Sequence, residues 1–163
     1  MVDVTKHTVR FADCYVLTHH RTKEFVLSFL DHFLARREEY ADNYEVPQFS
    51  EQPVIVFDSD GQLMDYLEHA PHTVHAIYWY NSQEEVLKAA MCLFTSDGQV
   101  IVGLTCESHY PDDHIEKEYL REIMAFCRST VGLIEYEKPA PKDTGELLQR
   151  IQATDDRQGN LLF

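Results

Sequence analysis

The segment LEHAPHTVHAIYWYN, residues 67–81, spaces His69, His72 and His75 three apart beside Trp79, the only tryptophan in the chain. Three imidazoles are the raw material of a metal centre, because catalytic zinc takes three protein ligands and a water. The backbones expected to carry them argue against one. His69 falls at a helix end, His72 in the turn after Pro71 and His75 in a strand, where residues three apart face opposite ways. A second cluster, CESHYPDDH at residues 106–114, gathers Glu107, His109, Asp112, Asp113 and His114 in a loop that follows a strand. Such loops often hold sites, and His109, Asp112 and His114 would suit a metal-dependent hydrolase. The same acids equally suit the first turn of the next helix, where the dipole favours negative charge.

Other chemistry finds no footing. The chain has no G-x-S-x-G, no H-E-x-x-H, no P-loop and no dinucleotide fingerprint. Adjacent carboxylates such as Glu38 and Glu39, or Asp112 and Asp113, point apart on most backbones. The four cysteines, Cys14, Cys92, Cys106 and Cys127, form no C-x-x-C pair and read as small buried residues. Cys92 and Cys106 fall on neighbouring predicted strands, which leaves a cross-strand pair or a shared metal open. The expectation is therefore no catalytic residue, no cofactor and no metal.

Charge is more informative. Of 28 acids and 14 bases in 163 residues, sixteen acids and the single base Lys88 lie between residues 38 and 116. That half carries a net charge of −15, and the remainder, with 12 acids and 13 bases, is close to neutral. An acidic face of this kind repels nucleic-acid phosphates and anionic membranes. Its natural partner is a basic protein, captured by an attraction that salt weakens. No apolar run approaches the roughly 20 residues of a membrane span, and MVDVTKHTVRF lacks the apolar core of a signal peptide, so a cytoplasmic protein is expected.

The elements that must position these residues follow from periodicity. Val9–Leu17 reads as a strand, and TKEFVLSFLDHFLARREEY repeats apolar residues at helical spacing behind an N-cap at Thr22. ADNYEVPQFSEQP reads as a loop, VIVF at 54–57 as a short buried strand and GQLMDYLEH as a helix ending before Pro71. TVHAIYWY is extended. In AAMCLFTSDGQVIVGLTC, two apolar runs flank Asp97-Gly98, which predicts a hairpin of residues 86–95 and 99–106 at the centre of a covered sheet. A helix then starts at Pro111 or Asp112, with Ile115, Tyr119, Ile123 and Phe126 as its apolar stripe. A strand VGLIEYE, a helix from Asp143 to Ala153 and a mobile tail, residues 154–163, complete the chain. Residues 1–153 are thus expected to form one α+β domain, an antiparallel or mixed central sheet with helices packed on its faces.

The stretch IYWYNSQEEVLKAAMCLFTSDGQVIVGLTCES, followed by a helix and then VGLIEYEKPAPKDTGELLQRI, resembles small bacterial immunity proteins of polymorphic-toxin and contact-dependent growth-inhibition systems. The matching features are the aromatic strand ending at Asn81, the strand pair joined through Asp97-Gly98, Gly103-Leu104, and Glu137 before Pro139 and Pro141. The resemblance spans about residues 75–150. It implies a cytoplasmic protein with no chemistry of its own that occludes one cognate toxin domain, often a basic nuclease. Alternatives are the hydrolase above and a small adaptor. Residues expected to meet the partner are Trp79 or Tyr110 as aromatic anchor, with Glu84, Glu85, Glu107, Asp112, Asp113 and Glu116 around it.

Overall fold

Thr22 opens helix α1 (Lys23–Phe33) by accepting the Phe25 amide on its side chain, as its residue type predicts. The computed structural model describes residues 10–158, in which α1 follows strand β1 (Arg10–Thr18). Three short strands come next, β2 (Arg37–Glu39), β3 (Tyr44–Val46) and β4 (Ile55–Phe57), and then helix α2 (Asp60–Glu68), capped by Ser59. Strands β5 (His75–Asn81), β6 (Leu87–Phe94) and β7 (Val100–Ser108) precede helix α3 (His114–Cys127), strand β8 (Gly132–Tyr136) and helix α4 (Thr144–Gln158).

Six strands form one sheet in the order β2-β5-β6-β7-β1-β8, every neighbouring pair antiparallel, and β3 pairs with β4 in a separate ribbon. The chain is an α+β domain. The Asp97-Gly98 hairpin is present, with Gly98 at φ 82°, and its strands lie at the centre of the sheet. Both faces are covered, though unequally. One carries Cys14, Val16, Ile77, Trp79, Cys92, Val102 and Leu104 against α1, α2 and α3. On the opposite face Tyr15, Leu17, Met91, Leu93, Ile101 and Leu133 meet the buried Leu147 of α4. α4 packs chiefly over β8, while farther along the same face Tyr78 and Tyr80 of β5 stay partly exposed.

A buried arginine closes the far end of the sheet. Arg21 donates to five backbone carbonyls: Leu67 (3.2 Å), Ala70 (2.9 Å), Thr73 (2.8 Å), Thr95 (2.7 Å) and Gln99 (3.0 Å). It thereby ties the end of α2 to the β6–β7 hairpin, over the ring of Phe94.

Several expectations are corrected. The 54–57 strand is not buried in the main sheet: it begins at Ile55, pairs only with β3, and Val54 and Val56 are exposed. β2 and β3 are strands inside stretches read as helix end and loop. Cys92 lies opposite Val102 and Cys106 opposite Leu87, too far apart along the ladder for the pair considered above. The four cysteines are buried free thiols. Helix α4 runs on to Gln158, past the expected end at Ala153; Val9 and the last five residues of the expected mobile tail lie outside the described residues. No helix among the described residues is long and apolar enough to cross a membrane.

Candidate partner-binding face

The three histidines go separate ways, each held on a backbone carbonyl. His69 Nδ1 is 2.9 Å from Asp65 O, His72 Nδ1 3.0 Å from Ser96 O, and His75 Nε2 3.2 Å from Glu45 O. Burial pushes the His75 imidazole below its usual pKa. In the 106–114 loop, His114 Nδ1 meets Asp112 Oδ1 at 2.8 Å, and that bond holds the exposed Asp112 carboxyl below the ordinary range. Among the described residues no three His, Cys, Asp or Glu side chains are placed to share a metal ion.

Six of the eight expected contact residues share one end of the sheet. The β5–β6 turn, the end of β7 and the start of α3 meet there, carrying Glu84, Glu85, Glu107, Tyr110, Asp112 and Asp113. Trp79 and Glu116 are corrections. The indole of Trp79 is 1% exposed, because its alternation on β5 turns it under the helices, where Nε1 donates to Asp60 Oδ2 at 2.8 Å. Glu116 is 0% exposed; it faces the sheet from the first turn of α3 and accepts from Ser108 Oγ at 2.5 Å. Both side chains are buried in the fold.

The acids at that end are also partly neutralised. Lys88 Nζ lies 3.1 Å from Glu107 and 3.8 Å from Glu84, and Lys117 Nζ lies 3.1 Å from Asp113. Tyr110 packs at a tilt against Tyr136, with the Arg10 guanidinium over its ring. Unpaired charge collects elsewhere. Among the described residues none of Glu38, Glu39, Asp42, Glu45, Glu51, Asp58 and Asp60 is in an ion pair. These seven acids run from β2 through the β2–β3 link and the β3–β4 ribbon to the start of α2. Glu39 holds the region together, since its Oε1 accepts both the Tyr44 hydroxyl (3.0 Å) and the Asp60 amide (2.7 Å).

Between these acids stand large apolar side chains in solvent: Tyr40 is 74%, Phe49 91% and Val54 81% exposed. Tyr40 meets Tyr78 edge-on, and Tyr78 and Tyr80 continue the aromatic surface along β5. Glu38 beside Tyr80 pushes its phenol pKa up. The arm between β3 and β4, residues 47–54, is anchored by the Gln48 amide. That amide donates to Ala76 O at 3.0 Å and accepts Ala76 N at 2.8 Å, as a neighbouring strand would. Behind the arm runs an apolar groove of about 810 Å³, floored by Ala76, Tyr78, Met91 and Leu93. Its far wall is Pro139–Lys142.

Sequence reasoning missed Tyr40, Phe49 and Val54. The available signal was apolar residues lodged among acids in a stretch without Lys or Arg. Comparison with protein-family models, with curated proteins and with solved structures finds no match to this chain.

Proposed function

We propose that this chain is a binding inhibitor, an immunity protein that neutralises a basic toxin domain by covering it. The observation that carries the reading is the coincidence of uncompensated acids with exposed aromatics on one edge, residues 38–60 with β5. Carboxylates in that setting attract a cationic surface over about 8 Å at physiological salt. Aromatic side chains then supply the desolvated anchors that dominate protein interfaces. Tyr40 and Phe49 take the anchoring part first expected of Trp79. A nuclease is a fitting target, because its phosphate-binding groove is lined with lysine and arginine. The inhibitor acts by occlusion and needs no catalytic group.

The test is co-expression with the protein encoded immediately upstream. Co-purification as a stable complex, together with rescue of growth, is the expected result. A neighbour that is harmless alone and does not co-purify would remove the reading.

A further inference from the structure

We infer that a second, smaller cavity lined by Tyr40, Tyr44, Phe49 and Tyr78 receives one arginine side chain of the partner, its guanidinium against the aromatic rings and its fork turned to the Glu45 carboxylate. This deepens the proposed function and rests on its reading of a basic protein partner. Three observations carry it.

The first is shape. The cavity holds about 320 Å³; Phe49 and Tyr78 line both it and the larger groove, whereas Tyr40 and Glu45 line this cavity alone. The Tyr40 and Tyr78 rings stand at 65° with centroids 6.4 Å apart, two walls of a corner, and the Tyr40 amide donates to Tyr78 O at 3.1 Å, which fixes their backbones together. Phe49 reaches the cavity from a left-handed backbone, φ 63°, an uncommon conformation for a bulky residue, with the adjacent Gln48 amide clamped to Ala76. A cation within about 6 Å of such ring faces is attracted by their π charge. The second is charge. Glu45 is the only ionised group in the lining, since burial lowers the pKa of His75 and leaves its imidazole neutral near pH 7. The third is hydrogen bonding. Among the described residues neither the Glu45 carboxylate nor the Asn43 carboxamide, which also lines the cavity, has a hydrogen-bond partner. Two free acceptors beside aromatic faces suit a planar guanidinium, which stacks and donates in a fork, better than the point charge of an ammonium.

The test titrates the full chain, isotope-labelled for NMR, with the acetylated amides of arginine, of lysine and of citrulline, the uncharged isostere of arginine, at constant ionic strength. The expected result is saturable binding of the arginine derivative, several-fold weaker binding of the lysine derivative and none of the citrulline derivative. Shifts should appear at Tyr40, Glu45, Ala76 and Tyr78 and at the Asn43 side-chain amide. Tyr40→Leu, which keeps apolar bulk and removes a π face, and Glu45→Gln, which removes the charge, should each weaken arginine binding by roughly tenfold. Both side chains are exposed, so neither change disturbs the fold. Equal binding of the citrulline derivative overturns the requirement for a cation, and equal or tighter binding of the lysine derivative overturns the choice of a guanidinium. Unchanged arginine binding by Tyr40→Leu, or no saturation by the arginine derivative, overturns the cavity itself. Co-purification with the neighbour judges the function separately, so failure of one reading is distinguishable from failure of the other.

Discussion

Replacing Arg21 by methionine keeps most of the aliphatic packing and deletes the guanidinium, so the change isolates its five bonds. Buried ions can often be replaced by apolar groups at no loss, because desolvation offsets the attraction. That outcome requires both partners to go, and here the acceptors are backbone carbonyls that remain. Four of them keep another donor: Ala70 N on Leu67 O, Thr73 N on Ala70 O, Gly98 N on Thr95 O and Thr95 N on Gln99 O. Thr73 O has no other donor among the described residues. The orphaned Thr73 carbonyl costs about 1–3 kcal/mol, and the four carbonyls that keep a donor lose less, an amount that relief of the buried guanidinium's desolvation partly offsets, so the loss is about 3 kcal/mol. For a chain of this size that lowers the melting midpoint by roughly 6–12 °C. Arg21→Lys should fall between, because one ammonium cannot reproduce the planar fork. Urea titration followed by the fluorescence of Trp79, the sole and buried tryptophan, measures both variants. A loss under about 1 kcal/mol for Arg21→Met would refute the reasoning, since the carbonyls would then be satisfied without the guanidinium.

Gln48→Ala removes the side-chain amide from Ala76 N and Ala76 O on the edge of β5, leaving Ala76 O only His75 Nδ1 at 3.1 Å. It should cost about 1–2 kcal/mol and accelerate hydrogen exchange at the Ala76 amide; unchanged exchange there would show that water replaces the side chain freely. Asp13 stands opposite Glu135 across the β1–β8 ladder, and burial, despite the Thr105 hydrogen bond, raises its pKa. The folded state therefore resists its ionisation. Asp13→Asn should be more stable than the parent at neutral pH, and the advantage should shrink as pH falls and vanish below about 4, where both states protonate the parent; melting curves at several pH values would expose a pH-independent difference as a contradiction. Reversing Glu38, Asp42 and Glu45 to lysine should slow association with the co-purified partner and flatten its salt dependence. Reversing Glu107 and Asp113, already paired with Lys88 and Lys117, should do far less, and stopped-flow mixing that found the opposite ranking would place the contact at the other end of the sheet.

The long periodic elements were legible because their faces differ sharply in polarity. Phe25, Phe29 and Leu30 mark α1, and the Asp97-Gly98 pair marks the hairpin as only a positive-φ turn can. The three-residue strands β2 and β3 were not, because a period of two cannot be recognised over so few residues; β4 was read from VIVF, but its pairing with β3 was not, because it is set by tertiary contact of Tyr44 and Val46 with the main core. In α3, Glu116, Leu120 and Met124 turn inward beside Ile123, while Ile115, Tyr119 and Phe126 are only partly buried, a rotation that its charged sequence does not announce. Charge segregation could be read from the chain. Its location could not, because pairing by Lys88 and Lys117 depends on which side chains the sheet brings within reach. Trp79 drew attention as the sole tryptophan, yet the alternation of β5 sends it inward and leaves Tyr78 and Tyr80 outside.

The order of strands across the sheet sets a schedule for synthesis. β1 is seated between β7 and β8, so its sides stay unfilled until residues as late as Tyr136 have left the ribosome. Pairings so distant along the chain pay a large loop-closure entropy before any contact rewards them, which slows folding. Until then Val16 and Leu17 of β1 have no sheet to cover them, and a nascent fragment ending before β7 has no route to the native core.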